Sequence, residues 1–315
     1  MKFVAALLAT AVSADSIVQK FMRYAMEHRK SYLTKSEFEA RMNIFANTEA
    51  YIAQINSTQS SYTVGHNFFS DLSDSERAQY HGAVVDTKKM MAAEYVELST
   101  EGLPSSVDWR TEGGVNAVQN QGGCGSCWAF STVQSMETAH FVSTGNLLKF
   151  SEQQLVDCNA DGYSCNGGWW AWDYYQTADA ILESDYAYAG VDQSCMASQY
   201  SGTGVRDLSS ANITPGSESQ MRAAIAQQAI SVAVDVTLGF QLYTSGIYNP
   251  ASCGTAVNHG VGLVGYGSEN GQDYYILRNS WGASWGESGY MRIADNGMGS
   301  GVCAVQLHGS YPTTN

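Results

Sequence analysis

The sequence predicts an α+β protein with two lobes, and two observations carry this prediction. Helix-forming segments come first within the region after residue 102, at 127–142 and after Ser151. Short runs rich in β-branched and aromatic residues, separated by glycine-rich turns, follow after about residue 229. Helices followed by strands are typical of α+β molecules, and function in such molecules often lies in the cleft between the lobes.

Each element has its own local signal. Residues 127–142 contain no Gly or Pro and have helix-forming composition. Ser151-Glu152-Gln153-Gln154 and Ser217-Glu218-Ser219-Gln220 both match the capping box that opens a helix. The runs that predict strands lie at 230–236, 261–266, 274–277 and 290–293.

Composition excludes two classes of protein. Hydrophobic residues make up 44% of the 315 residues and charged residues 15%, which excludes a disordered chain. Sixteen Lys and Arg stand against 30 Asp and Glu, which gives a net charge of −14. Because such a surface repels phosphate backbones, nucleic-acid binding is excluded as well.

The amino terminus resembles a secretory leader. Lys2 precedes an apolar run at 3–12, and Val12 and Ala14 place small residues at the −3 and −1 positions of a cleavage site. The run is shorter than the ~20 residues that span a bilayer. We therefore expect a signal peptide at 1–14, no membrane span, and a lysosome-like, vacuolar or extracellular destination. The alternative to a signal peptide is a buried N-terminal helix. Glycosylation sequons, which fit a secreted protein, begin at Asn56 and Asn212.

A domain boundary is predicted near residue 102. Residues 15–102 contain no cysteine, carry a net charge of −3 and cluster their bases at 20–41, whereas the remainder carries −12. The stretch 87–93 is expected to be an exposed connector. Within the first region, six residues share one face of a helix about five turns long. They are Glu37, Arg41, Phe45, Thr48, Ile52 and Asn56. Glu37 and Arg41 are four residues apart and can form an ion pair.

The chain has seven cysteines, all in its C-terminal two-thirds. An odd number leaves at least one thiol free or paired between chains, and six cysteines permit 15 connectivities. Secretion makes disulfides the expected state of the others.

Three local signals carry the chemistry. They are Gln121-Gly122-Gly123-Cys124-Gly125-Ser126-Cys127-Trp128, then His259 at 132 residues beyond Cys127, and Asn279 at 152 residues beyond it. Separately, Cys124 and Cys127 could form a redox dithiol, and the histidine and asparagine could be structural. Together they match the signature of a thiol peptidase.

These motifs resemble the papain family of cysteine peptidases, and within it the cathepsin L-like branch. The stripe on the first helix is similar to that branch's interspersed Glu-Arg-Phe-Asn-Ile-Asn motif, with Thr48 in place of the first Asn. A second motif of the branch matches at Gly65, Asn67, Phe69 and Asp71, and residues 103–110 resemble a mature amino terminus. The resemblance implies a papain-like two-lobed fold, a helical lobe plus a β-barrel-like lobe, with the active-site cleft between them.

The resemblance also implies the domain plan and the reaction. Residues 15–102 would be an inhibitory helical propeptide and 103–315 the mature peptidase domain, a cysteine endopeptidase that needs no metal or cofactor. Cys127 at a helix start favours a thiolate, and His259 would form an imidazolium beside it. Asn279 would orient that ring, Trp281 would shield it from water, and Gln121 would stabilise the oxyanion together with the Cys127 N–H.

Further implications concern disulfides and substrate. The implied pairs are Cys124–Cys165, Cys158–Cys195 and Cys253–Cys303. Gly167 and Gly168 would bind extended substrate backbone, because glycine permits close approach. The pocket for the second substrate residue before the cut would favour apolar side chains. Protonated His308 would also admit acidic or polar side chains at low pH; the alternative is that His308 faces solvent and has no such effect. This pocket would be formed by Trp169, Trp170, Ala233, Val257, Asn258 and His308.

The propeptide is expected to block the cleft until it is removed. Its basic stretch at 20–41 faces an acidic mature domain, so protonation of carboxylates would weaken the attraction and speed processing at acid pH. Expected partners are protein and peptide substrates, the propeptide itself and cystatin-like inhibitors, with the protein a monomer. Two alternatives are an inactive papain-like binding protein and a secreted dithiol oxidoreductase.

Overall fold

The structure is a computed structural model that describes residues 16–92 and 94–315. The expected signal peptide at 1–14 lies outside the described residues. Within the described part of the chain, no helix is both long enough and apolar enough to cross a bilayer.

The N-terminal region forms a small helical unit with two short strands. Helix α1 is capped by a complete capping box between Ser16 and Gln19, and it packs on α2 through a cluster of Phe21, Tyr24 and Phe45. The elements of this region are α1 (Ile17–Glu27), α2 (Lys35–Thr58), β1 (Tyr62–Val64), α3 (Asp74–Arg77), a 3-10 turn (Ala78–Tyr80), α4 (Thr87–Ala92) and β2 (Glu94–Tyr95).

The predicted stripe lies on α2 and ties this helix to the chain that follows. Thr48 Oγ1 donates to the carbonyl of Ser70 at 3.0 Å. The Asn56 amide pairs with both backbone groups of Val64, at 2.8 and 3.0 Å. The stripe therefore anchors the returning chain as well as supplying apolar contact.

The charged residues of the stripe do not pair as the spacing suggests. Arg41 points to Glu76 on α3, at 2.6 Å, and to the carbonyl of Asp71, while Glu37 accepts the N–H of Leu33 at 2.9 Å. A bidentate partner on another element offers Arg41 two parallel hydrogen bonds, which an i,i+4 contact on one helix does not.

Asp71 is the buried centre of the same unit. Its carboxylate accepts from Lys30 at 2.6 Å and from the hydroxyls of Tyr24 and Tyr32 at 2.7 and 2.8 Å. Lys20 likewise pairs with Glu49. Lys20, Lys30 and Arg41, three of the six basic residues at 20–41, are thus paired inside the N-terminal region.

The connector at 87–93 is largely exposed over its described residues, as expected, but residues 87–92 form helix α4, which contacts the rest of the chain. Asp86 Oδ1 accepts the N–H groups of Lys88 and Lys89 and so caps the helix. Lys89 then binds Asp161 and Asp173, each at 2.6 Å.

The region after residue 102 contains the helical lobe and the strands. The predicted helix and all four predicted strands are present, with ends within a few residues of the predicted ones. The elements are β3 (Val107–Asp108), α5 (Cys127–Thr144), α6 (Glu152–Cys158), α7 (Trp172–Thr177), a 3-10 turn (Ala197–Gln199), β4 (Asp207–Asn212), α8 (Glu218–Gln227), β5 (Ile230–Val234), α9 (Leu238–Gln241), β6 (Tyr243–Tyr248), β7 (His259–Glu269), β8 (Gln272–Arg278), β9 (Tyr290–Ala294), a 3-10 turn (Val302–Ala304) and β10 (Ser310–Thr314).

Two hydrophobic cores define the two lobes. One surrounds the start of α5 and includes Trp128, Met136, Leu155 and Tyr175; the other lies on the sheet and includes Trp285. The strand order is β1-β6-β9-β8-β7-β5-β10-β4-β2, with β3 added to β7. In the described residues this is an open sheet whose two ends, β1 and β2, both come from the N-terminal region.

Helix caps and disulfides complete the frame. Ser151 and Ser217 cap α6 and α8 as predicted, but neither capping box closes. Gln154 Oε1 instead accepts the N–H of Ile181 at 2.8 Å, and Gln220 binds both backbone groups of Leu98, at 2.8 and 3.0 Å. The structure contains the disulfides Cys124–Cys165, Cys158–Cys195 and Cys253–Cys303, the pairs that the resemblance implies, and leaves Cys127 free.

Candidate active site

The free thiol lies at the first residue of α5. Cys127 is fully buried, and its Sγ accepts the N–H of Gly260 at 3.2 Å. Ser126 caps the helix without a side-chain bond. The helix N-terminus therefore directs its unpaired N–H groups and the positive end of its dipole toward the sulfur.

His259 and Asn279 are brought together by the β7–β8 hairpin. His259 opens β7 and Asn279 follows the last residue of β8, so antiparallel pairing places them at the same end of the hairpin. His259 Nε2 bonds Asn279 Oδ1 at 2.8 Å, and the Trp281 ring stacks on the imidazole at a centroid distance of 4.6 Å. Nδ1 has no hydrogen-bond partner among the described residues. Because the adjacent Gly260 contacts the Cys127 sulfur, the His259 imidazole lies in the same part of the molecule as the thiol.

Gln121 is held with one side-chain N–H toward the cleft. Its Oε1 accepts the hydroxyl of Ser280 at 2.6 Å, and its Nε2 donates to the carbonyls of Cys124 at 2.9 Å and Tyr80 at 3.2 Å. The serine hydroxyl is a donor to Oε1, so it fixes which end of the amide faces the cleft. Sequence reasoning missed Ser280, although it stands between two recognised motif residues.

The cleft is filled by residues 80–84 of the N-terminal region. The N–H groups of Gly82 and Ala83 both donate to the carbonyl of Asn258 at 3.0 Å. Gly168 donates to the carbonyl of Gly82 at 2.8 Å and accepts from Val84 at 2.9 Å. This segment, the covering segment, thus occupies the backbone groups of the residues predicted to bind substrate.

Three glycines at this contact lie where a side chain would collide or where the backbone conformation disfavours one. A Cβ on Gly82 would lie 1.9 Å from the carbonyl oxygen of Gly125. A Cβ on Gly168 would lie 2.7 Å from the Tyr163 side chain, and Gly167 adopts a φ of +119°, which side chains rarely tolerate. The covering segment therefore passes directly over the loop that precedes Cys127.

Burial in the covered site disfavours the charged forms of both Cys127 and His259. Burial raises the pKa of the Cys127 thiol to about 12, although neighbouring N–H groups oppose the shift. Burial, followed by the nearby His81, lowers the pKa of His259 to about 3. Because water is excluded, each group keeps its uncharged form.

The predicted substrate pocket lies next to Cys127. The Trp169 and Trp170 rings stack at 4.6 Å and share a core with Ala233 and Val257. Trp169 also meets the His308 ring edge-on at 5.7 Å.

The two polar residues of the pocket behave differently. The Asn258 side chain points back into the fold, where Oδ1 accepts the N–H of Val236 at 3.0 Å. His308 is half-buried, burial lowers its pKa, and its Nδ1 has no hydrogen-bond partner within the described ranges. Its ring thus packs edge-on against Trp169 while the residue stays partly exposed.

Comparison with known proteins identifies this arrangement. A family profile described as papain family cysteine protease matches residues 103–313. The chain belongs to the papain family of cysteine proteases. A second profile, the cathepsin propeptide inhibitor domain, matches residues 21–76, so this papain-family chain carries an inhibitory propeptide domain.

Its relatives are cysteine proteases and their precursors. The chain is 39% identical to cysteine proteinase RD21A of Arabidopsis thaliana over 96% of its own length and 68% of the relative. It is 39% identical to papaya proteinase 4 of Carica papaya, over 96% and 89%. The structure of a recombinant stem bromelain precursor superposes with a TM-score of 0.87 at 35% identity, covering 95% of this chain and 99% of that one.

A digestive procathepsin L2 from Tenebrio molitor gives a TM-score of 0.87 at 31% identity, covering 95% of this chain and 100% of that one. The papain-family chain is therefore a cysteine peptidase in its precursor form. Within residues 16–92 and 94–315, no group of three or more His, Cys, Asp or Glu is arranged to hold a metal ion.

Proposed function

We propose that this protein is an acid-activated cysteine endopeptidase in which Cys127, His259, Asn279 and Gln121 perform peptide hydrolysis once the covering segment has left the cleft. The observation that supports it most is the placement of the free Cys127 thiol, the Nε2-bonded His259 and the Gln121 amide around one cleft.

The reaction begins with a proton transfer inside the pair. When water reaches the opened cleft, the Cys127 proton passes to His259 Nδ1, because Asn279 already holds Nε2–H in place. The thiolate attacks the substrate carbonyl carbon and forms the C–S bond, while the carbonyl electrons move to oxygen. Gln121 Nε2–H and the Cys127 N–H then donate to that oxyanion.

Collapse of the oxyanion breaks the C–N bond, and His259 gives its proton to the departing amine. The thioester that remains is hydrolysed by water, with His259 now acting as the base. Asn279 carries no charge, so it orients the ring without disturbing the neutrality of the pair. Trp281 covers this hydrogen bond and excludes water from it.

The propeptide inhibits by taking the same contacts that substrate needs. The Tyr80 carbonyl accepts from Gln121, and Gly168 exchanges two backbone hydrogen bonds with the covering segment. We place the propeptide at 15–102 and the mature domain at 103–315. The segment at 99–102 is exposed just after Leu98, which supports cleavage there.

Substrate preference follows from the pocket. Trp169 and Trp170 narrow it, and its apolar walls favour an apolar second residue before the cut. His308 contributes tolerance of acidic or polar side chains when protonated. We further propose that the enzyme is a monomer of the secretory pathway, resident in a lysosome-like or vacuolar compartment or outside the cell, and subject to cystatin-like inhibitors.

The test compares acid-matured wild type with Cys127→Ala on fluorogenic peptides varied at the second position. We expect activity only in wild type, with apolar residues preferred. An epoxide thiol inhibitor should label Cys127 stoichiometrically. Labelling of Cys124 would favour the dithiol oxidoreductase, and labelling without hydrolysis would favour the inactive binding protein.

A further inference from the structure

We propose that Tyr188 is a positioning residue for the oxyanion site, joining the Gln121 donor to the turn that supplies the Cys127 N–H. This inference rests on the proposed roles of Gln121 and Cys127.

The contact is made by a single hydroxyl. Tyr188 Oη donates to the main-chain carbonyl of Gln121 at 2.8 Å. The same oxygen lies 2.6 Å from the hydroxyl of Ser126. Since the tyrosine proton is committed to Gln121, Ser126 is the donor in the second bond. The Tyr188 hydroxyl oxygen thus joins Gln121, whose side chain is one oxyanion donor, to Ser126, which directly precedes Cys127 and its donor N–H.

The loop between these two points needs such an anchor. It contains three glycines, of which Gly122 adopts a φ of +61°, so its backbone has many accessible conformations. The Cys124–Cys165 disulfide and the Ser280 contacts hold it from other sides. The Gln121 carbonyl is bound by Tyr188, and Gln121 itself is fully buried. Loss of the hydroxyl would leave this carbonyl without its partner and allow the amide to drift.

Tyr188 is itself fixed before the site is used. Its ring meets Phe130 of α5 edge-on at 4.8 Å, and its N–H donates to Glu183 at 2.9 Å. Burial raises the pKa of its hydroxyl to about 12, so the proton donated to Gln121 is retained from acid to neutral pH. The Tyr188 hydrogen bond is therefore insensitive to pH over that range.

Tyr188→Phe removes only the hydroxyl and keeps the ring against Phe130. Removal of an oxyanion donor costs about 100-fold to 1000-fold in kcat, and misplacement of a retained donor should cost less, roughly tenfold in kcat with KM nearly unchanged. A peptide aldehyde forms a tetrahedral adduct whose oxygen uses the same donors, so its inhibition constant should rise about tenfold. Alkylation of Cys127 by iodoacetamide needs no oxyanion, so its rate and pH profile should stay within twofold.

The matched control is Tyr186→Phe. Tyr186 is also buried, and its hydroxyl donates to Asp157 at 2.6 Å, away from the cleft. We expect this variant to change neither the aldehyde constant nor the alkylation rate. Ser126→Ala provides a second variant of the site, because it removes one bond of the anchor and leaves Tyr188 bound to Gln121. We expect about a threefold loss of kcat from it.

The outcomes separate the two levels of the proposal. Unchanged kcat and aldehyde affinity in Tyr188→Phe, or a parallel fall in alkylation rate, would overturn the positioning role. If Tyr188→Phe does not fold, unchanged kcat in Ser126→Ala would overturn that role equally. If Gln121→Ala leaves hydrolysis and aldehyde binding intact, the oxyanion assignment in the proposed function is wrong instead.

Discussion

His81 of the covering segment should make zymogen opening depend on pH. Its ring lies in the cleft, with centroids 6.2 Å from His259 and 6.4 Å from Trp281, and its Nε2 faces the Gln241 amide at 3.1 Å. An amide N–H requires an acceptor, so this contact fits the neutral ring. Burial, and then Arg77, lower the pKa of His81 to about 4 from its ordinary 6.5.

The direction of the pH effect on zymogen opening follows from the lowered pKa of His81. Between pH 6.5 and 4 the released, solvated His81 binds a proton that the covered one does not, so acid favours release. From the two pKa values, the open-to-closed ratio rises by a factor on the order of 80 at pH 4.5 and is almost unchanged at pH 7. The difference is roughly 60-fold, or about 2 kcal/mol.

The perturbation is His81→Gln, which still accepts from Gln241 but does not titrate. The assay is the rate at which an epoxide thiol reagent labels Cys127 in the full-length precursor, measured at a low protein concentration. We expect wild type and variant to react alike at pH 7 and wild type to react about 60 times faster at pH 4.5. His28→Gln is the matched control, since His28 is a half-buried propeptide histidine outside the cleft. A wild-type to variant ratio that stays within twofold from pH 7 to 4.5 would exclude His81 as the source of the acid response.

Three further predictions concern the covering segment, its tether and the pocket. Gly82→Ala places a Cβ against the Gly125 carbonyl and should break two or three hydrogen bonds in the cleft, a loss of about 2–3 kcal/mol. The rate of Cys127 labelling in the precursor should therefore rise at least 30-fold, and a change below twofold would contradict this. Lys89→Met removes two partly exposed ion pairs, which together contribute about 1 kcal/mol. It should therefore raise the rate of Cys127 labelling about fivefold, whereas Lys88→Met, at an exposed residue, should leave this rate unchanged. In a substrate library, wild type should cleave peptides with an acidic second residue before the cut faster, relative to apolar ones, at pH 4.5 than at pH 7, because only the protonated His308 ring attracts a carboxylate. His308→Ala should abolish this increase; an unaltered increase would show that His308 does not set the preference.

Local sequence signals were sufficient for the elements that carry the site. The uninterrupted helix after Cys127 and the strand containing 261–266 follow from composition and glycine placement, and both are present. Strand β4 was not predicted, because its Asp-Leu-Ser-Ser-Ala-Asn sequence lacks the β-branched and aromatic residues of a strand. It forms because β10 and β2 pair with it on both sides.

Contacts between distant segments could not be read from the sequence. Arg41 has a compatible carboxylate four residues away, yet it binds Glu76, which tertiary folding brings closer in a better geometry. Tyr188 belongs to no recognised motif, and only the fold places its hydroxyl between Gln121 and Ser126. Such residues are determined by packing of loops, for which periodicity gives no signal.

The charge state of the catalytic pair also required the structure, and it has a consequence for activation. In the covered cleft the thiol has a pKa of about 12 and the imidazole one of about 3, so both are neutral. When the cleft opens, a proton moves from Cys127 to His259 and none is exchanged with solvent. Linkage then requires that this internal proton transfer itself contribute no pH dependence to opening. The acid response must come from groups whose net protonation changes at the interface, with His81 foremost among them. Substitution of His81 should therefore move the pH threshold of activation without changing the chemistry of the mature enzyme, because His81 leaves with the propeptide.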